Sequence, residues 1–444
     1  MAARVNAAAR LDRLPASSFH RRILWLIGIG MFFDGFDVYV AATVLGATLQ
    51  SGFSTLGQNA QFVSVTFIGM MLGSFLTGFL GDRYGRRFTY QANLAIFGLA
   101  SIASAFAPSM QVLIALRCIM GLGLGAELVV GYSTLTEFVP PQSRGKWLGT
   151  MNFLVVSSLP ITGLASTLII PRFGWRTMFV LGGLGALIVW YLRKALPESP
   201  RWLESVGRHE EAEALLQGIE REVSLEHGPL PPPAEFAPAP PSRGLRLLLS
   251  PMLLPRMFVG GVTLIVANTL IYGFVTWLPT FFVQEGRNIA TSFGYSLVMM
   301  VGAPVGSAIG AFTSDSWGRK PAIIGASLAT ILVGGIYPFI RDPVLLLIVG
   351  FCLIVPIYVL VALLFAIYIP ELFPTEVRLR ATGICNTFGR GATIITPFIV
   401  VALYRNYGVG GVLSLMIGLL IVQIVVVQLF GIEPQRRRLE EIEF

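Results

Sequence analysis

Charge is scarce in this chain. Asp, Glu, Lys and Arg make up 13% of its 444 residues, 54% are hydrophobic, and the mean hydropathy is +0.73. So much apolar surface exceeds what one water-soluble core can bury, and lipid is the implied solvent. Cysteine is nearly absent. Cys118, Cys352 and Cys385 are scattered through apolar runs without metal-ligand spacing, which excludes a disulfide frame or a zinc site and leaves them as small packing residues. The three histidines, His20, His209 and His227, all fall in polar segments, so no histidine relay runs through the apolar ones. No nucleophile and base pair, nucleotide loop or metal cluster is present, which argues against an enzyme and against any cofactor. A formal charge of +8 would suit a nucleic-acid partner, but the basic residues sit in short stretches between apolar runs rather than on one face. That pattern is membrane topology, and no nucleic acid is expected.

What is present is length of apolar helix. A hydrocarbon core of about 30 Å needs roughly 20 apolar residues per crossing. Twelve such runs are found, at about 23–46, 60–80, 88–107, 111–133, 147–170, 176–194, 256–281, 292–313, 321–340, 344–368, 382–403 and 409–430. The first run, which follows Arg4, Arg10, Arg13, Arg21 and Arg22, is too long for the apolar region of a signal peptide and has no small-residue cleavage site, so it stays as the first helix. Of 32 Lys and Arg, five (Arg172, Arg176, Arg287, Arg341 and Arg405) fall in the loops of one side and two, Arg117 and Arg390, inside spans. The other 25 lie on the opposite side together with both termini, which the positive-inside rule assigns to the cytoplasm. The expected fold is an all-α membrane protein with two six-helix bundles, residues 1–194 and 256–444. A cytoplasmic linker at 195–255 would join them, helical and acidic from Glu210 to Glu226 and proline-rich from Pro229 to Pro241.

The halves repeat each other. Gly81-Asp82-Arg83-Tyr84-Gly85-Arg86-Arg87 follows the second span and Ser314-Asp315-Ser316-Trp317-Gly318-Arg319-Lys320 the eighth, while Glu137, Pro140 and Arg144 have the spacing of Glu371, Pro374 and Arg378. Two matches at nearly the same offset argue for a duplicated unit with a pseudo-two-fold axis along the membrane normal. Gly85 and Gly318 permit tight turns, Asp82 and Asp315 are acceptors for neighbouring amides or arginines, and Arg83, Arg86, Arg87 and Arg319 supply basic charge. Together with Glu137, Arg144, Glu371 and Arg378 they are read as gate elements that close the inner mouth.

These loops, with twelve spans and a central linker, resemble the major facilitator superfamily over the whole chain. Pro197-Glu198-Ser199-Pro200-Arg201-Trp202-Leu203 and Pro370-Glu371-Leu372-Phe373-Pro374-Thr375-Glu376 look like those of sugar porters and the metabolite symporters near them. Asp34-Gly35-Phe36-Asp37 is similar to the D-G-x-D signature of aromatic-acid:proton symporters, and Trp277-Leu278-Pro279 fits that group. The resemblance implies a multi-pass protein of a bacterial inner membrane, working as a monomer and carrying a small solute by alternating access.

Ionisable side chains inside a membrane are costly and are functional candidates by default. Five lie in the interior of the predicted spans, away from their ends: Asp34, Asp37, Arg117, Glu127 and Arg390. Asp34 and Asp37 share one helical face, about 16 and 21 Å from the start of their helix. Arg117 matches Asp37 in depth, which predicts a salt bridge, whereas Asp34 has no evident partner. Repulsion and burial favour a neutral acid at one of the two carboxyls, the chemistry of proton coupling. The glycines of Gly121-Leu122-Gly123-Leu124-Gly125 sit in an apolar span, where small residues let helices approach, and do not form a phosphate loop. Glu127 is either a further proton carrier or the partner of a polar group on a neighbouring helix.

Arg390 needs an anion, and the second-half spans contain no core carboxylate, which favours a bound substrate carboxylate. Phe36, Tyr39, Tyr272, Trp277 and Tyr358 are candidates to stack on it, with Asn268 and Asn386 as amide partners. The expected function is proton-coupled symport of a small organic acid, aromatic acids included, in which protons offset the opposition of a negative interior to anion entry. Three rivals remain. A sugar or polyol symporter is supported by the Pro197–Leu203 segment but has no need of Arg390. A drug or metabolite exporter would carry a fuller Gly-Pro motif than Pro160 and Gly163 supply. A transporter-like receptor would bind solute without flux.

Overall fold

The computed structural model describes residues 5–140, 143–233, 250–251, 253–286, 288–373 and 378–433. A short helix, α1 (Ala7–Asp12), precedes six long ones: α2 (Ser18–Gln50), α3 (Leu56–Tyr84), α4 (Arg86–Ala105), α5 (Met110–Phe138), α6 (Arg144–Phe173) and α7 (Arg176–Leu192). The linker adds α8 (Pro200–Ser205) and α9 (His209–His227), the acidic helix expected from the sequence. In the second half α10 (Leu254–Gly273) continues through a 3-10 turn at Val275–Trp277 into α11 (Leu278–Gln284). α12 (Ile289–Met300) and α13 (Gly302–Trp317) together make the eighth crossing, α14 (Arg319–Ile336) the ninth. α15 (Pro343–Val361) runs through a π-helical turn at Ala362–Tyr368 into α16 (Ile369–Glu371), and α17 (Arg378–Phe430) closes the chain.

Among the described residues, ten stretches are long and apolar enough to cross a membrane. The count reaches twelve for two physical reasons. The last stretch contains Gly408 at φ 64°, a left-handed break that divides α17 into two crossings. α4 opens on Arg86 and Arg87 and carries Gln91 and Asn93, which lowers its hydropathy although its length of 20 residues suffices. The seventh, eighth and tenth crossings, expected as single runs, are each pieced from shorter helical segments.

Turn chemistry repeats between the halves as the sequence motifs do. Gly85 and Gly318 both take φ 93°, and Gly174 and Gly408 take φ 80° and 64° at the corresponding outer turns. Close helix approach repeats too. A Cβ on Gly73 would collide with the Leu122 carbonyl oxygen of α5, and one on Gly306, which relates to Gly73 as Gly318 does to Gly85, with the Val355 carbonyl oxygen of α15.

The side bearing both termini is the basic face. Toward the opposite face the halves press together: Phe67 and Tyr272 rings are 4.4 Å apart, and a Cβ on Gly46 would meet Pro279 at 3.5 Å. On the basic face the chain before the first crossing is strapped to the linker. Leu11 and Leu14 share a buried cluster with Leu216, Ile219 and Val223 of α9. Glu204 accepts the Asn6 and Ala7 amides at 2.9 Å, Arg10 pairs with Glu220 at 2.7 Å and Glu213 at 2.5 Å, and Arg13 pairs with Glu220 at 2.5 Å. Burial alone would raise the Glu220 carboxyl, but hydrogen bonds and charge from Arg10 and Arg13 outweigh it and hold it below the usual 4.5.

Candidate functional site

α2 runs through the first half and carries Asp34 and Asp37 near its middle, where both are almost fully buried. The Asp37 carboxylate accepts from Arg117 Nη1 of α5, as the depth argument anticipates. The rest of that guanidinium is also engaged. Nη2 donates to the Asp37 carbonyl oxygen at 3.1 Å and Nε to Thr66 Oγ1 at 3.1 Å, and the group lies 5.0 Å from the Phe62 ring centre. A buried pair is held this firmly only when additional hydrogen bonds offset its desolvation.

Glu127 also has a cationic partner, and it is one whose place in the sequence suggests a different role. Arg193 ends the sixth crossing, and its position groups it with the basic-side loops. In the structure it turns back into the bundle and is 1% exposed. Its Nη1 donates to Glu127, its Nε and Nη2 donate to the Leu26 and Ile27 carbonyl oxygens of α2 at 2.9 and 2.7 Å, and it lies 4.6 Å from the Tyr90 ring centre. The five intramembrane ionisable residues are therefore at least six. The signal was available: Glu127 needs a cation, and Arg193 stands at the border of a span. Asp34 differs from both other carboxylates. Its two oxygens are buried and have no hydrogen-bond partner among the described residues, with Glu127, Arg193 and Asp37 as its electrostatic neighbours.

The second half presents a different picture around Arg390. This residue is half-buried in α17, and its guanidinium has no hydrogen bond or ion pair among the described residues. Asn268 packs against its neighbour Gly389, where a Cβ would come 2.6 Å from Asn268 Nδ2. Tyr272, one turn further along α10, is an electrostatic neighbour of Arg390 and of Tyr39 from α2. Tyr358 joins them, buried, with its hydroxyl directed at that of Tyr39. Asn386 lies four residues before Arg390 on the same helix, its Nδ2 donating to the Thr382 carbonyl oxygen at 3.0 Å. Of the expected contacts, Asn268, Tyr272 and Asn386 thus lie beside Arg390, and Tyr39 and Tyr358 join through Tyr272 where the halves meet. Two do not. Phe36 packs in the first-half core with its ring 6.3 Å from Phe33, and Trp277 stacks on Phe281 at 6.4 Å toward the opposite face.

At the basic face the two motif loops form matching clusters. Arg86 pairs with Glu137 at 3.2 Å and Arg319 with Glu371 at 2.9 Å. The amides that open the next helix hold a second carboxylate in each case: Arg86 N–H donates to Glu198 at 2.9 Å, Arg319 N–H to Glu433 at 3.0 Å and Lys320 N–H to Glu433 at 2.8 Å. Glu433, which follows the twelfth crossing as Glu198 follows the sixth, is a third repeated element and one that the sequence motifs do not reveal. Arg83 lies beside the Tyr84 ring and Arg87 Nη2 reaches the Lys194 carbonyl oxygen at 2.8 Å. The side chains of Asp82, Arg144, Asp315 and Arg378 lie outside the described residues.

A membrane fold built twice, with ionisable groups gathered between its helices, is the architecture of a solute transporter of the major facilitator type. The chain belongs to the sugar (and other) transporter family, whose model matches residues 25–444. It is 37% identical over 442 residues to the inner membrane metabolite transport protein YdjE of Escherichia coli, covering 98% of this chain and 97% of that one. To the niacin transporter NiaP of Acinetobacter baylyi it is 30% identical over 441 residues, covering 99% and 100%. Among solved structures, the proton:xylose symporter XylE, known from Escherichia coli, superposes with a TM-score of 0.71 at 20% identity, over 96% of this chain and 98% of that one.

Proposed function

We propose that this transporter carries a small organic carboxylate, aromatic in preference, together with protons. It would act as a monomer in a bacterial inner membrane with both termini in the cytoplasm. The observation that carries the reading is Arg390, a half-buried guanidinium with no counter-ion among the described residues, beside Tyr272, which in turn neighbours Tyr39 of the first half. Such a group lowers its cost by pairing with an anion, and its planar fork suits a carboxylate. Tyr39, Tyr272 and Tyr358 supply ring faces for an aromatic body, and Asn268 and Asn386 supply amides. The relative named for niacin, a pyridine carboxylate, supports the same class. Asp34, Asp37 and Glu127, balanced by Arg117, form the proton-coupling group. The basic-face clusters, with Asp82, Arg83, Gly85, Arg87, Arg144, Asp315, Gly318 and Arg378, act as the inner gate while the halves rock about the site.

A second reading, sugar:proton symport, is favoured by the family description and by the paired hydroxyls of Tyr39 and Tyr358, which a sugar could engage. The two readings separate in proteoliposomes offered labelled nicotinate, benzoate and xylose with and without an inward proton gradient. Gradient-driven uptake of a carboxylate but not xylose supports the first. Gradient-driven xylose uptake that survives Arg390→Gln replaces it with the second.

A further inference from the structure

We infer that the transported proton is held at Asp34, and that Arg193, paired with Glu127 on the neighbouring helix, is the positioning residue that responds when it leaves. This rests on the proton-coupled reading above and reaches past it, since it gives the three buried carboxyls different tasks and brings in an arginine that reading does not use.

Charge balance is the first step. Within the first half, Asp34, Asp37 and Glu127 are buried with only two buried guanidiniums among the described residues, Arg117 and Arg193, so one carboxyl is in excess. Geometry says which. Arg117 is committed to the Asp37 carboxylate, the Asp37 carbonyl oxygen, Thr66 and the Phe62 face. Arg193 is committed to Glu127 and two carbonyl oxygens of α2. Asp34 is left with two buried oxygens that receive no donor among the described residues. An ionised carboxylate in that position would cost several kcal/mol, whereas the neutral acid needs only an acceptor for its O–H. Glu127 Oε2, the oxygen not used by Arg193, is itself buried without a partner and belongs to an electrostatic neighbour of Asp34. A neutral Asp34 thus brings a buried donor to a neighbour that keeps a buried acceptor free.

The surrounding groups make the site responsive. Asp37 on α2, Glu127 on α5 and Arg193 directly after α7 are the charged neighbours of Asp34. α6, packed along the same stretch, presents the hydroxyl of Ser158 beside Gly35, and α4 places Tyr90 against Arg193. Arg193 lies so close against Gly30 that a Cβ there would collide with its guanidinium. Gly30 is four residues before Asp34, hence on the same face and about 6 Å away along the axis. When the O–H bond of Asp34 breaks and water on the basic side takes the proton, two carboxylates compete for one guanidinium. Arg193 then shifts toward Asp34 and, through its bonds to Leu26 and Ile27, moves the basic-side end of α2 relative to α5 and α7.

The test is infrared titration of the purified full-length protein in lipid, reading the C=O stretch of buried protonated carboxyls near neutral pH. Wild type should show one such band. It should vanish in Asp34→Asn. It should vanish as well in Glu127→Gln, because Asp34 then becomes the counter-ion of Arg193. Asp37→Asn should keep it, and Arg193→Gln should add a second. The inference is overturned if the wild type has no band, or if Asp34→Asn keeps the band at full intensity while Asp37→Asn loses it. Gradient-driven nicotinate uptake by the same wild-type preparation is the separate readout. Its absence with the band assigned to Asp34 defeats the symport reading alone, and its presence with the band elsewhere defeats this assignment alone.

Discussion

In the first half, Asp34, Asp37, Arg117, Glu127 and Arg193 are packed into the interior of the bundle, and two of the three carboxylates are locked to arginines. At the offset that carries Glu137 onto Glu371, the second half has Asn268, Ile271, Phe351 and Val361 in place of Asp34, Asp37, Arg117 and Glu127, and its own interior cation, Arg390, corresponds to Val156. The features that set geometry are by contrast duplicated: Gly85 with Gly318, Gly73 with Gly306, Arg86 and Glu137 with Arg319 and Glu371, Glu198 with Glu433. A duplicated scaffold has to satisfy the same steric demands twice. Its chemistry need appear only once, and the proposed function divides it, with proton handling in the first half and anion binding in the second.

That comparison can be broken in several places. The largest effect is expected from Arg193→Leu, which strips Glu127 of its buried counter-ion and forces it to take up a proton, and should cost about 3–5 kcal/mol in unfolding stability. The double variant with Glu127→Gln should recover most of the loss, and strictly additive losses would mean that the pair is not coupled. Arg390→Gln should behave in the opposite way. With no partner to orphan among the described residues, it should leave stability within about 0.5 kcal/mol of wild type while lowering carboxylate uptake about 100-fold. A melting loss as large as that of Arg193→Leu would show Arg390 to be a structural cation. Third, Gly85→Ala and Gly318→Ala should each cost about 2 kcal/mol, because both positions hold a backbone conformation that side chains resist. Gly85 should suffer more, since a Cβ there would also collide with the Glu198 carboxylate.

The smallest effect concerns the strap on the basic face, which has no counterpart among the described residues of the second half. Arg10 and Arg13 hold Glu220 below its ordinary value, and the hydrogen bond from Arg10 lowers Glu213. Carboxyls depressed in this way contribute fully above about 4.5, the ordinary value, and lose their contribution as pH falls through the folded-state value. Proteolysis of residues 5–17 in detergent should therefore accelerate on acidification below that point and change little between neutral and mildly acidic pH. Acceleration already at mildly acidic pH would assign the strap's stability to another group.

The crossings and the repeat were legible in the sequence because long apolar runs and two motifs in register are signals that tertiary context seldom overrides. Asp37 and Arg117 were legible as a pair because both lie deep in spans at matching depth. Arg193 was not, because a charge at the end of an apolar run reads as a loop residue until folding turns it inward to a carboxylate 66 residues away. Glu433 was missed because only its place after the twelfth crossing, and not the residues around it, repeats Pro197-Glu198-Ser199-Pro200. Phe36 shows the converse: it stands inside the most suggestive motif of the chain, yet its side chain faces the first-half core.

The division of labour between the halves is tested most directly by comparing nicotinate exchange at equal pH with gradient-driven nicotinate uptake in proteoliposomes of wild type, Asp34→Asn and Arg390→Gln. The account predicts that Asp34→Asn abolishes the response to the gradient, and that Arg390→Gln abolishes exchange and uptake alike. Nicotinate exchange at the wild-type rate in Arg390→Gln would contradict it.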